Sequence, residues 1–148
     1  MMAAIEILLV EDDPNDLELM RRALEKRRLT NRIHEVRDGA EAIDYFFGKD
    51  NGDRQLIPHV IFLDLKLPKV DGLDVLRRLK AEERTRAIPV VVLTSSNEES
   101  DRIRSYDLGV NSYIVKPVGF TEFSQVVEDI GLYWLVHNRP PVPRQADG

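Results

Sequence analysis

Four short apolar runs are separated by segments in which apolar residues recur at helical spacing, and few architectures satisfy this alternation. The runs are Ile5-Glu6-Ile7-Leu8-Leu9-Val10, Val60-Ile61-Phe62-Leu63, Val90-Val91-Val92-Leu93 and Tyr113-Ile114-Val115. The last three lack polar alternation, which predicts strands that are buried on both faces. A shorter and more polar candidate, Ile33 to Arg37, is typical of a strand at the edge of a sheet.

Helical patterns occupy the gaps between these strands. The first begins at Asp13-Pro14-Asn15-Asp16, where a capping acid precedes a proline and a first-turn acid. The positions that define the five patterns are Leu17, Met20, Leu24; Ala40, Ile43, Phe47; Leu73, Leu76, Lys80; Ile103, Asp107, Leu108; and Phe123, Val127, Ile130, Trp134. Strands that alternate with helices predict an α/β fold, a doubly wound parallel sheet with right-handed crossovers.

Composition excludes several classes of protein. A chain of 148 residues suits one domain with a core of its own, and the absence of cysteine excludes disulfides and thiolate chemistry. The net charge of -5 argues against nucleic-acid binding, which favours a basic surface. Because neither a signal peptide nor a membrane-spanning run is visible, we expect a cytoplasmic protein with no membrane partner.

Two segments fall outside the repeating pattern. The polar stretch Gly48 to Gln55 is expected to form an exposed loop. After the fifth helix, Asn138-Arg139-Pro140-Pro141-Val142-Pro143 predicts an extended, polyproline-like conformation. We therefore divide the chain into a domain over 1–136 and an extended proline-rich tail over 137–148.

Polar residues stand where the predicted strands end. Glu11-Asp12-Asp13 follow the first strand, Asp64 the third, Thr94 closes the fourth and Lys116 follows the fifth. Ligands bind beyond these ends in doubly wound sheets. Clustered carboxylates need a cation, and an all-oxygen donor set favours Mg²⁺, Mn²⁺ or Ca²⁺. A lysine and a hydroxyl facing such a metal favour phosphate oxygens, so the set predicts phosphoryl transfer to a carboxylate nucleophile.

Each of these residues also has an ordinary explanation. Acids before a proline commonly cap a helix, and a lone aspartate after a strand commonly forms a turn. Thr94 is also a plausible cap of the next helix, and Lys116 a plausible surface charge. The interpretation therefore depends on four such residues at the ends of four strands on one edge.

The motifs at these strand ends resemble the receiver domains of two-component response regulators. They are Leu8-Leu9-Val10-Glu11-Asp12-Asp13, Asp64-Leu65-Lys66-Leu67-Pro68-Lys69-Val70-Asp71-Gly72, Val92-Leu93-Thr94-Ser95 and Tyr113-Ile114-Val115-Lys116-Pro117. The resemblance runs from Ile5 to Val136 and implies a flavodoxin-like (βα)5 domain with strand order 2-1-3-4-5. The segment Gly48 to Gln55 and the ending Tyr133-Trp134-Leu135, followed by Pro140-Pro141, are similar to the single-domain regulators of bacterial phytochrome histidine kinases.

The resemblance implies a role for each residue of the site. Asp64 is the phosphoacceptor, and a sensor histidine kinase is the donor. Mg²⁺ is implied as cofactor, with Asp12 as direct ligand, Glu11 as outer-shell partner and the Lys66 carbonyl as a further ligand. The remaining implied features are phosphoryl contacts from Thr94 and Lys116, an aromatic switch at Tyr113 and a cis Lys116–Pro117 bond.

Two residues depart from the common pattern of the family. Lys66 stands two residues after the acceptor, where its side chain reaches over the phosphoryl group and either holds it or obstructs the attacking water. Glu11 replaces the aspartate of many relatives, which lengthens the reach to the metal by one methylene.

Two other functions remain open at this point. A pseudo-receiver that only binds proteins is expected to lack Asp64, Asp12 or Lys116, whereas all three are present. An aspartate-nucleophile phosphatase requires a second acid two residues after the nucleophile, where Lys66 stands. For a receiver, the only reactions that we expect the chain to catalyse are its own phosphorylation and dephosphorylation.

The end of the chain predicts a homodimer. Tyr133, Leu135 and Val136 point away from the face that covers the sheet, and Gly131 permits close approach of a second backbone. We expect the fifth helix and the tail to form the interface about a two-fold axis.

Overall fold

The structure is a computed structural model that describes residues 6–27, 32–48 and 57–139. Five parallel strands and five α-helices alternate along these residues, and the strands form a sheet in the order β2-β1-β3-β4-β5. The elements are β1 (Glu6–Val10), α1 (Pro14–Lys26), β2 (Arg32–Val36), α2 (Gly39–Phe47), β3 (Val60–Leu63), α3 (Gly72–Ala81), β4 (Val90–Thr94), α4 (Glu99–Asp107), β5 (Ser112–Val115) and α5 (Phe120–Leu132). The predicted fold class and strand order are therefore confirmed.

Two apolar cores hold the layers together. All residues of β1, β3 and β4 are buried, and alternate side chains of a strand point to opposite faces of the sheet. Leu8 and Val10 pack with α2 and α3, whereas Ile7 and Leu9 pack with α1 and α5. Burial on both faces fixes the strand register, and this fixes which residues stand at the carboxyl edge of the sheet.

The two outer strands differ from the central three. The prediction that β2 lies at an edge is confirmed. The prediction that the β5 strand is buried on both faces is wrong, because its residues are only partly buried and Val115 is exposed. Strand β5 is less buried because it forms the other edge of the sheet, where it pairs with β4.

Helix α4 buries a polar face. This helix is predicted from the spacing of Ile103, Asp107 and Leu108, but Ile103 is 52% exposed. Its buried residues are Asp101 and Ser105. Ile103 therefore does not face the core. The polar residues that do are satisfied, because Ser96 donates to the Asp101 carboxylate and Ser105 donates to the Asp101 carbonyl.

Helix α5 continues as one π-helical turn, Tyr133–His137. Phe123, Val127 and Ile130 are buried in the core on the α1 side, as predicted. Trp134 and Leu135 pack partly against that core, so the expectation that Leu135 lies free of its own domain is wrong. The wider π turn rotates these residues towards the core and leaves Tyr133 and Val136 exposed.

Two predictions concern residues outside the described part of the chain. Of the loop predicted over Gly48 to Gln55, every residue after Gly48 is outside the described part. The tail from Pro140 onwards is outside it as well. Asn138 and Arg139 are not helical. Among the residues described, no helix has both the length and the apolar character that crossing a bilayer requires.

Candidate functional site

Three carboxylates meet where β1 and β3 end. The Asp64 amide donates to the carbonyl of Val10 at 3.0 Å, which continues the pairing of the two strands by one step. Glu11, Asp12 and Asp64 each offer a carboxylate oxygen, and these oxygens lie within 4.8 Å of one another. Glu11 and Asp64 are buried, whereas Asp12 is exposed. The sheet therefore brings together the three side-chain acids that the sequence predicts for a metal.

Lys116 joins this cluster from the end of β5. Its side chain is 8% exposed, and its Nζ lies 2.6 Å from Glu11 Oε1, 2.8 Å from Asp16 Oδ2 and 3.0 Å from Asp64 Oδ2. An ammonium has three N–H donors, and three different carboxylates receive them. One cation is thus fixed between the acids and faces the predicted acceptor.

The contact with Asp16 was missed by sequence reasoning. Asp16 lies in the first turn of α1, where an acid is explained by the helix dipole alone. The side chain that caps this helix is Asp13, whose Oδ1 accepts from the amides of Asn15 and Asp16. Because Asp16 is 100 residues from Lys116 in sequence, only the tertiary structure shows that the two side chains form an ion pair.

Burial and like charge alter the acid chemistry of the cluster. Burial, followed by the negative charge of Asp64, raises the pKa of Glu11 to about 8. Burial acts to lower the pKa of Lys116, but hydrogen bonds to Asp16 and Glu11 and the charge of Asp64 outweigh it and raise that pKa above its ordinary value. Lys116 is therefore cationic, and its single charge is shared among the surrounding acids.

A cleft opens directly beside the acids. It has a volume of about 410 Å³ and is lined by Asp12, Leu65, Lys66, Leu67, Pro68 and Asp71. Asp12 is thus the acid of the cluster that lines solvent-accessible space, while Glu11 is held from behind by Lys116 and by the amide of Asp13. This arrangement suits Asp12 as the direct contact of a cation that enters from the cleft.

The loop after β3 is folded tightly against its own strand. An added Cβ on Gly72 would lie 2.5 Å from the Leu65 Cα, so this position requires glycine. The Gly72 amide donates to the Leu65 carbonyl at 2.9 Å, and the Lys66 amide donates to Asp64 Oδ1 at 3.2 Å. Lys69 has a φ of +70°, a left-handed conformation that costs about 1 kcal/mol and that lets the loop reverse direction. The loop thereby fixes the carboxylate of Asp64.

Ser96 connects Thr94 to the predicted switch residue, Tyr113. Thr94 is fully buried, and its Oγ1 accepts from the Ser96 amide at 3.3 Å. The Tyr113 hydroxyl donates to the Ser96 carbonyl at 3.0 Å, and burial raises the pKa of that hydroxyl. The structure thus places Ser96, which no sequence motif singled out, between Thr94 and Tyr113.

The side chain of Lys66 pairs with an acid other than the predicted acceptor. Its Nζ lies 3.5 Å from Asp101 Oδ2 at the start of α4, and the side chain is 59% exposed. The acids of the cluster take their cation from Lys116 instead. A contact of Lys66 with a phosphoryl group, and a ligand role for its carbonyl, remain predictions.

The Lys116–Pro117 bond is trans, so the predicted cis bond is wrong. The described residues contain no cis peptide bond. The trans form of a bond that precedes proline is favoured by about 0.5–1 kcal/mol in the absence of other constraints.

The fold and the site together define the class of protein. Residues 7–128 match the family model described as "Response regulator receiver domain". The chain belongs to this family, as its motifs predicted.

Particular relatives refine this assignment. The chain is 49% identical to the "Probable methanogenesis regulatory protein FilR2" of Methanothrix harundinacea, over 93% of this chain and 88% of that protein. It is similar to the phosphorylated cyanobacterial phytochrome response regulator RcpA, with a TM-score of 0.88, 39% identity and coverage of 95% of this chain and 100% of that one. It also resembles the Mn²⁺-bound form of Rcp1, the Synechocystis response regulator, with a TM-score of 0.84, 36% identity and coverage of 93% and 99%.

Proposed function

We propose that the chain is a phosphorylation-dependent switch in which Asp64 accepts a phosphoryl group. The observation that carries this proposal is the placement of Lys116 and two further acids around the buried carboxylate of Asp64. Asp12, the exposed acid of the cluster, lines an open cleft. A nucleophile, a fixed cation and an acid cluster for a metal are the parts that phosphoryl transfer to a carboxylate requires.

The acid cluster fits a divalent cation, and we propose Mg²⁺. Its donors are oxygen atoms, and a negative set of this kind is what a hard cation neutralises. Asp12 and Asp64 would hold the ion directly, with Glu11 behind them and the Lys66 carbonyl as a further ligand. When bound, the ion supplies neutralisation of the acids and polarisation of the phosphoryl oxygens. The Mn²⁺-bound form of Rcp1 supports a divalent ion in a similar protein.

Asp64 and Lys116 have different roles in the transfer of the phosphoryl group. A carboxylate oxygen of Asp64 attacks the phosphorus of a donor phosphohistidine and forms the O–P bond. The donor's P–N bond breaks, and its electron pair returns to the imidazole ring, which takes a proton from solvent. Lys116 then holds a phosphoryl oxygen and offsets the new negative charge.

The proposed conformational switch uses two hydrogen bonds of the Ser96 backbone, one to Thr94 and one from Tyr113. When the Thr94 hydroxyl turns towards the phosphoryl group, it leaves the Ser96 amide. Tyr113 then breaks its hydrogen bond to the Ser96 carbonyl and moves into the space that Thr94 vacates. Both changes alter the surface formed by β4, α4 and β5, which is where a partner protein would detect the phosphorylated state.

Incubation with acetyl phosphate and Mg²⁺ tests the proposed function. A receiver accumulates an acid-stable, base-labile acyl phosphate, which phosphate-affinity electrophoresis separates from the free protein. A phosphatase instead releases phosphate over many turnovers without accumulating the adduct. A pseudo-receiver does neither, so either of the last two outcomes contradicts the proposal.

Mg²⁺ is expected to stabilise the protein with millimolar affinity. Ion concentrations about ten times the dissociation constant should raise the free energy of unfolding by about 1.4 kcal/mol. Asp12→Ala should remove most of this gain, because Asp12 is the exposed acid of the cluster. Asp13→Asn, which keeps a capping oxygen outside the cluster, is the matched control. Melting curves that Mg²⁺ does not shift, with equal affinities in the two variants, would contradict the site.

We propose a sensor histidine kinase of the phytochrome type as the phosphoryl donor. The similarity to RcpA, described as a phytochrome response regulator, supports this choice. A direct comparison of phosphotransfer rates from phytochrome-type and other histidine kinases tests it.

We also propose a homodimer formed through α5, the π turn and the tail. Tyr133 and Val136 are 52% and 49% exposed on the π turn, although both side chains are large and apolar. Tyr133→Lys with Val136→Lys is expected to halve the mass measured by light scattering. Val118→Lys is the matched control, because Val118 is fully exposed on the loop before α5. A monomeric wild-type protein at micromolar concentration would contradict the proposal, and a dimer that survives both substitutions would place the interface elsewhere.

A further inference from the structure

Asp101 is a buried acid that the proposed transfer does not use. It lies in the first turn of α4 and is 7% exposed. Its Oδ2 accepts a hydrogen bond from Ser96 Oγ at 2.6 Å and lies 3.5 Å from Lys66 Nζ. Two side chains thus converge on one oxygen of a carboxylate that has little contact with water.

Lys66 connects this acid to the acceptor. Its backbone amide donates to Asp64 Oδ1, so the residue is anchored at the carboxylate that the proposed function phosphorylates. Its side chain is a flexible four-carbon stem that carries a point charge, and it is largely exposed. The ammonium therefore has two anionic groups with which it can pair. One is Asp101, as in this structure, and the other is a phosphoryl group on Asp64.

The charges around the pair favour its present arrangement. The hydrogen bond from Ser96 and, after it, the charge of Lys66 lower the pKa of Asp101, and Arg104 adds to this effect. The charge of Asp101 raises the pKa of Lys66, with smaller contributions from Glu98 and Asp71. Both groups are therefore charged near neutral pH and attract each other.

Resting on the proposed function, we propose that Asp101 is a positioning residue that holds the Lys66 ammonium away from the acceptor and competes for it with the phosphoryl group on Asp64. A phosphoryl group adds negative charge two residues from Lys66, which draws the ammonium towards it. The carboxylate of Asp101 then keeps the Ser96 hydroxyl as its partner but loses the cation. The start of α4 is thereby linked to the charge at Asp64.

Competition of this kind is reciprocal. If phosphorylation weakens the Lys66–Asp101 ion pair, removal of the Asp101 charge must strengthen binding at the phosphoryl position by the same factor. This effect passes through Lys66, so it must vanish when Lys66 carries no charge. A direct repulsion between Asp101 and the phosphoryl group would not vanish, which separates the two explanations.

The test measures binding of beryllofluoride, a phosphoryl mimic, in the presence of Mg²⁺. Asp101→Asn keeps an acceptor for Ser96 and is expected to tighten binding about fivefold, the upper range for an ion pair with one exposed partner. In a Lys66→Gln background the same substitution should change affinity less than about twofold. In a Lys66→Arg background the fivefold difference should return. Glu99→Gln, which removes an exposed acid from the same turn of α4, is the control and should bind as the wild type does.

Two results overturn the proposal while leaving the proposed function intact. One is wild-type affinity in Asp101→Asn, and the other is a fivefold gain that persists with Lys66→Gln. If the wild type fails to bind the mimic at all, the proposed function fails together with this inference. If Asp101→Asn does not fold, the nitrogen-15 signal of the Lys66 ammonium decides. It should shift when the mimic binds the wild type, and an unchanged signal overturns the proposal.

Discussion

Asp64→Asn is expected to reduce phosphorylation by acetyl phosphate from near completion to below about 1% of the protein. The amide has nearly the same volume as the carboxylate but lacks the anionic nucleophile, and it removes one of the charges that hold a metal. The fold should persist, because one ammonium then serves fewer carboxylates. Intact-protein mass spectrometry detects the phosphate adduct, and thermal unfolding monitors the fold.

Asp74→Asn is the matched control for this substitution. Asp74 is an exposed aspartate on α3 that pairs with Arg77, and its loss leaves the acid cluster intact. The control should be phosphorylated as completely as the wild type. A phosphate adduct on Asp64→Asn in wild-type yield would show that another residue is the acceptor.

Lys116→Met is expected to lower the free energy of unfolding by about 3 kcal/mol in the absence of divalent ions. The substitution roughly preserves the length of the side chain and removes the charge that three acids share. Two of these acids, Glu11 and Asp64, are buried, so both carboxyl groups lose their ammonium partner in a poorly solvated site. Urea denaturation measures the loss.

Mg²⁺ should recover part of that stability, because it neutralises the same acids. Lys69→Met provides the control, since Lys69 is 69% exposed and pairs with Asp38 at 3.6 Å. Its substitution should change stability by less than about 0.5 kcal/mol. Equal losses in the two variants, or a loss in Lys116→Met that Mg²⁺ leaves unchanged, would contradict the central place of Lys116 in the cluster.

The acids of the site were predictable because they follow directly from strand ends. Hydrophobic runs identify β1 and β3, and parallel strands present their carboxyl ends at one edge. Glu11, Asp12 and Asp64 therefore had to converge once those two strands were neighbours, as the register of Val10 with Leu63 shows. The implied strand order 2-1-3-4-5 supplied that adjacency.

The partners of the charged side chains were not predictable in the same way. Asp16 and Asp101 both occupy the first turn of a helix, where local rules explain an acid completely. Their contacts with Lys116 and Lys66 join residues 100 and 35 positions apart. Sequence spacing carries no information about such a contact, because it depends on how two loops and a helix are oriented at the edge of the sheet.

By itself the sequence determined the order of elements, the apolar faces of most helices and the acids at the carboxyl edge, because periodicity and strand ends are local properties. Tertiary structure alone decided that β5 forms an edge, that α4 buries Asp101 in place of Ile103, and that Leu135 packs on its own domain. These outcomes depend on neighbours that are distant in sequence. A side chain is buried when its polar atoms find partners or its apolar surface finds cover, and those partners exist only after the chain has folded.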